Sequence, residues 1–208
     1  MSKREEVSSR EPGFGTAGGQ SRRRVLQNIA AAAFVGPVGL EAAQHVHQMA
    51  SEDVKANTGV YKPKALTQHE FDTLKKLCEL IVPGATQGGA AEFIDLLSSQ
   101  NPQMAAIYTG GLAWLDIEMK RHYEVNFLDA KAEQQTAMLD KIAYRRNRMP
   151  ETAAGIRFFD WARRMTVDAY YTSPAGIKEL GYMGNKATSE FKVPAEAVEY
   201  ALKRSPFA

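Results

Sequence analysis

The sequence predicts an all-α fold: one compact bundle of about five to six helices, preceded by a signal segment and a tether. Three observations carry this. Apolar residues recur every three or four positions in successive stretches between residues 66 and 171, helix start and stop signals bracket those stretches, and no run alternates with the period of a strand. The expected organisation is a disordered extension over 1–20, a signal segment over 21–50, a linker over 51–65 and a helical domain over 66–208.

Met1 to Gln20 is polar and glycine-rich and predicts no fold. Ser21, Arg22 and Arg23 are followed by Arg24, Val25 and Leu26, then by a small and apolar run from Ile29 to Leu40. A basic start ahead of an apolar run of roughly a dozen residues, short of the about 20 needed to span a bilayer, is an address before it is an anchor. The order Ser21-Arg22-Arg23-x-Val25-Leu26 resembles a twin-arginine export signal. No clear small-x-small cleavage site follows, so the segment either stays attached or is trimmed between Glu41 and Ser51. Glu41 to Lys64 is mixed and polar and reads as a tether. His45 and His47 lie within it, where a third metal ligand is lacking nearby.

The chain holds 26 Lys+Arg and 24 Asp+Glu. Residues 1–50 account for six of the former and four of the latter, so the domain is balanced and carries no electrostatic footprint for nucleic acid or anionic lipid. Cys78 is the only cysteine, which excludes an internal disulfide framework. In an oxidising compartment it is either buried or paired with another chain, and its neighbours Leu74, Leu77 and Ile81 favour burial.

The first domain helix starts at Thr67, which has capping-box spacing with Glu70. It carries Phe71, Leu74, Leu77, Cys78 and Ile81 on one stripe and stops at Pro83-Gly84. A glycine-rich turn then leads to a helix with Ala91, Phe93, Ile94 and Leu97. Asn101 and Pro102 open the next, which runs to about Tyr123 with Gly110-Gly111 inside it. Asp129 is the expected cap of a helix through Arg146, whose basic end complements the helix dipole. Ala153 to Tyr171 is the most aromatic helix, with Phe158, Trp161, Met165 and Tyr170 at helical spacing. After Ser173-Pro174 the glycine-rich texture predicts little helix. It reads either as an adaptable contact surface or as a loop packed over the preceding helix. Pro194 to Arg204 predicts a last short helix with Val198 and Leu202 on its apolar side.

The succession LTQHEFDTLKKLCELIVPG, GGLAWLD, FFDWARRMTVDAYYTSPAG and ELGYMGN resembles the gluconate 2-dehydrogenase subunit 3 family over about residues 66 to 190. These are the small subunits of membrane-associated, flavin-dependent sugar and sugar-acid dehydrogenases. The resemblance implies a non-catalytic helical subunit that binds a large flavoprotein of the glucose-methanol-choline oxidoreductase type, assists its maturation and supplies the export signal for both. It further implies that FAD resides in the partner and that electrons pass to a cytochrome subunit; this chain has no Cys-x-x-Cys-His for haem attachment. The translocon is then a second partner, and the location is periplasmic, with membrane association through the complex or an uncleaved signal. Trp161, Tyr170, Tyr171, Gly181, Tyr182, Met183, Gly184 and Asn185 are the expected partner interface, the four aromatics standing exposed in the isolated subunit.

A catalytic reading needs a site. No Gly-x-Gly-x-x-Gly follows a strand, and no His sits in a nucleophile motif. The carboxylate pairs Asp116/Glu118 and Asp160/Asp168 are open to acid-base or metal work, but Glu118 and His122 are four apart, and a single pair reads as a surface contact. His69 is expected to be exposed. No catalytic residue, cofactor or metal is therefore assigned to this chain. The alternative is a free-standing periplasmic helical scaffold or binding protein, which would bury the same aromatics.

Overall fold

The computed structural model describes residues 22–34, 36–182 and 192–205. The expected N-terminal extension, Ser21 of the expected export motif, and Met183, Gly184 and Asn185 of the expected interface lie outside the described residues. Among the described residues all regular structure is helical: α1 (Arg22–Ala32), α2 (Leu40–Ala56), α3 (Gln68–Ile81), α4 (Ala90–Ser98), α5 (Pro102–Tyr123), α6 (Ala132–Ile142), α7 (Ala153–Thr172), α8 (Pro174–Glu179) and α9 (Ala195–Arg204), with a 3-10 turn at Arg145–Asn147.

The short helix α4 is the centre. All of its residues but Glu92 are buried, and α1, α2, α3, α5 and α7 pack around it. Such a helix can be apolar all round because neighbours cover every face. Phe93, Ile94 and Leu97 are fully enclosed, each contributing about 1.5–3 kcal/mol on transfer from water. The long helix α7 is its main companion and also carries α5, α6 and α8.

Local signals behave as their chemistry requires. Thr67 accepts from the Glu70 amide while Glu70 accepts from the Thr67 amide, closing the capping box of α3. Asn101 caps α5 through the Gln103 and Met104 amides.

Three expectations are corrected. The stretch from Glu41 read as a tether is largely α2, whose Ala43, Val46 and Ala50 are buried in the common core. His47 donates from Nε2 to the Ala169 carbonyl at 2.9 Å, and burial lowers its pKa, so it stands as a neutral packing residue between α2 and α7. The expected helix through Arg146 begins at Ala132 instead, because Asp129 is engaged by Asn126 in the preceding turn, and it ends at Ile142. Arg145 and Arg146 consequently lie in the 3-10 turn, not at a helix end. Arg145 pairs with Asp160 at 3.1 Å, and Arg146 lies 4.4 Å from the Tyr144 ring centroid. Residues after Ser173 do form a helix, α8, capped by Ser173. Gly176 is required there, since a Cβ would fall 2.1 Å from the Tyr170 carbonyl oxygen.

Cys78 is fully buried. Thr166 donates to its sulfur at 3.2 Å, and burial pushes its thiol up to about 12. A covalent link from this thiol to another chain is incompatible with that position.

Candidate partner-binding surface

Of the residues expected at an interface, Tyr170 is buried. Its hydroxyl donates to Glu179 at 2.5 Å, which raises its pKa, and its ring lies over the turn before α4. A Cβ on Gly88 would fall 2.7 Å from that ring, so the glycine-rich turn is a seat for Tyr170. Glu79 closes the same turn by accepting from the Gly84 and Thr86 amides, at 2.8 and 2.9 Å. Those two hydrogen bonds hold its carboxyl below the ordinary carboxylate range.

Tyr171 is half-buried, edge-on to Tyr170. Gly181 takes a left-handed conformation (φ 63°) to end α8, with the Tyr182 amide returning to the Ile177 carbonyl, and Tyr182 is exposed. Trp161 is half-buried elsewhere, against Phe34 at 4.7 Å and beneath the Arg164 guanidinium at 4.2 Å. Of the four aromatics expected to be exposed, only Tyr182 is so.

The residues of the expected export motif divide by burial. Arg22 and Arg23 are exposed, Arg22 pairing with Glu52 at 3.0 Å; Val25 is half-buried and Leu26 is buried. The Arg164 guanidinium donates to the Ala33 carbonyl at the end of α1.

Of the carboxylates considered for chemistry, Asp116, Asp160 and Glu118 are engaged by neighbouring groups, whereas Asp168 keeps a buried Oδ2 with no hydrogen-bond partner among the described residues. Asp116 accepts from His69 Nε2 at 2.6 Å and from the Phe127 amide at 2.9 Å, joining α3, α5 and the loop after α5. Asp160 holds Arg145 and Arg163. Glu118 lies 3.5 Å from His122 and 3.6 Å from Arg121. Asp168 is half-buried beside Arg164, and burial raises its pKa. Sequence reasoning missed Asp95, the most enclosed carboxylate. It accepts from the Tyr61 hydroxyl and from the Lys64, Ala65 and Leu66 amides at 2.7–3.0 Å. Among the described residues no three His, Cys, Asp or Glu side chains are grouped to hold a metal, and no helix is long and apolar enough to cross a membrane.

Fold and side chains together define an all-helical protein in which Asp95, Glu79 and Asp116 hold backbone amides and Asp160 holds two arginines. The chain matches the family described as gluconate 2-dehydrogenase subunit 3 over residues 68–189, and it belongs to that family. The match starts at the first residue of α3, so α1, α2 and α9 lie outside it. No curated protein and no solved structure matches the chain.

Proposed function

We propose that this chain is the non-catalytic small subunit of a flavin-dependent sugar, sugar-acid or alcohol dehydrogenase of the glucose-methanol-choline type. In this reading it provides twin-arginine export and assembly for a larger catalytic flavoprotein. The observation that carries the reading is the family match across most of the helical domain. The commitment of Asp95, Asp116 and Glu79 to backbone amides is consistent with a structural part. FAD then belongs to the partner, electrons pass to a cytochrome subunit, and the assembly works in the periplasm, associated with the membrane through the complex or an uncleaved signal.

A free-standing periplasmic scaffold is the second reading. The burial of Tyr170 and the internal packing of Trp161 favour it, since a self-sufficient protein covers such rings. Affinity capture of the tagged full chain from periplasmic and membrane fractions of its own cells, read by visible absorption and mass spectrometry, separates the two. A stoichiometric larger protein with flavin bands is the expected result; a colourless chain recovered alone overturns the subunit reading.

A further inference from the structure

Two hollows meet at Trp114. One, about 700 Å³, lies between α5, α6 and the start of α7 and is walled by Met138, Ile142 and Met149. The other, about 310 Å³, follows α5 and α7 past Ile107, Gly110 and Phe158 to Trp161. The helices run antiparallel here: Gly155 faces the Trp114 ring and Gly111 faces Phe158, and a Cβ on either glycine would fall 2.2 or 2.0 Å from its ring. Those two glycines are needed for internal packing.

Gly110 is not. A Cβ there would meet nothing within 4 Å, so the chain carries a helix-interior glycine, at a cost of about 1 kcal/mol against alanine, with no internal contact to explain it. Gly110 is exposed and lines the furrow, so a second backbone could approach closely there. From Ile107 to Glu118 the furrow follows α5 for about 17 Å, some three helical turns.

Its rim is basic. Arg121, Lys141, Arg146 and Arg157 stand against Glu118 and Glu151, and Glu118 is already held by Arg121 and His122. Among the described residues neither Lys141 nor Arg157 has an ion-pair partner, and Met149, which lines the furrow, is exposed. An apolar floor between unpaired cations fits a segment with apolar anchors on one side and carboxylates along its flanks.

We propose that this α5/α7 furrow seats an acidic amphipathic helix of the larger flavoprotein subunit, an inference that rests on the accessory-subunit reading. It moves the centre of the interface away from Tyr170 and Tyr182 to Trp114, Gly110 and Trp161.

The test compares the tagged full chain with two variants, captured from the same cells. Gly110→Phe places a bulky ring in the furrow at a position where a Cβ meets nothing within 4 Å, and Lys141→Glu with Arg157→Glu reverses the rim. Wild type is expected to retain the flavin-bearing subunit. Gly110→Phe is expected to lower retention by about tenfold with a melting temperature unchanged or raised. The charge reversal is expected to weaken retention and flatten its dependence on salt. If wild type retains the flavoprotein and both variants do so equally, the furrow is not the seat, and the subunit reading stands. If wild type retains none, both fail. Deleting residues 192–208 probes the remaining occupant, α9, which carries Glu196, Glu199, Val198 and Leu202. A change in tryptophan fluorescence on that deletion, without any partner present, would assign the furrow, lined by both Trp114 and Trp161, to this chain's own helix and overturn the proposal.

Discussion

At Asp95 four donors converge on one enclosed carboxylate, three of them backbone amides from residues 64–66. The side chain pins the entry to α3 onto α4. Asp95→Ala would leave those amides and the Tyr61 hydroxyl without their acceptor in a largely enclosed site, and a loss of about 3–5 kcal/mol in denaturant unfolding is expected. A loss below about 1 kcal/mol would show that water replaces the carboxylate. Glu79 sets a pH dependence. Its folded pKa lies below the ordinary 4.5 because two amides donate to the charged form. Such a group contributes stability that is fully present above its unfolded pKa and is lost as pH falls through the folded one. Stability should therefore decline below about pH 4.5, and Glu79→Gln should be weaker at neutral pH with a shallower acid limb. Equal acid limbs for the two proteins would count against this assignment. Neither role shows in the sequence. Asp95 reads as one more polar position on a short helix, because its donors come from about thirty residues earlier and no local pattern links them.

Elements were legible where their signals are local. The capping box at Thr67 and Glu70, the Asn101-Pro102 start and the aromatic stripe of α7 all appear as expected. Those that were not legible have tertiary causes. α2 buries a narrow stripe of small residues, Ala43, Val46 and Ala50, amid polar neighbours, which reads as a tether until α4 and α7 are in place to receive it. α8 contains Gly176, a helix breaker by propensity, retained because the helix lies directly on the Tyr170 backbone. The burial of Tyr170 has a related cause: Gly84 and Gly88, in the turn before α4, leave the space that its ring occupies, and no local pattern links them to it. A prediction belongs to this scale. Removing residues 1–56 would uncover the outer side of α4, forfeiting at most about 1.5–3 kcal/mol for each of Leu26, Ile29 and Val46. A lower melting temperature and stronger binding of an apolar dye are expected; an unchanged melting temperature would mean that α1 and α2 add nothing to the core.

For the molecule as a whole, the proposed export role rests on Arg22 and Arg23, both on the exposed side of α1. Replacing both by Lys should leave the chain and its partner in the cytoplasm, as fractionation and flavin content would report; continued export of the pair would remove the twin-arginine argument. The fold itself is unaffected by that outcome, since only the Arg22–Glu52 pair, an exposed contact, depends on these side chains among the ion pairs described. The packing of α2 has a different consequence. The interval where a leader would be trimmed, Glu41 to Ser51, is not a loose strand but hydrogen-bonded helix with one side against α4 and α7. Proteases cut extended backbone, so the interval is open to cutting only before docking or during a local opening. How fast it is nicked therefore serves as a clock for folding, because in the folded chain α1 and α2 have become part of the wall around α4.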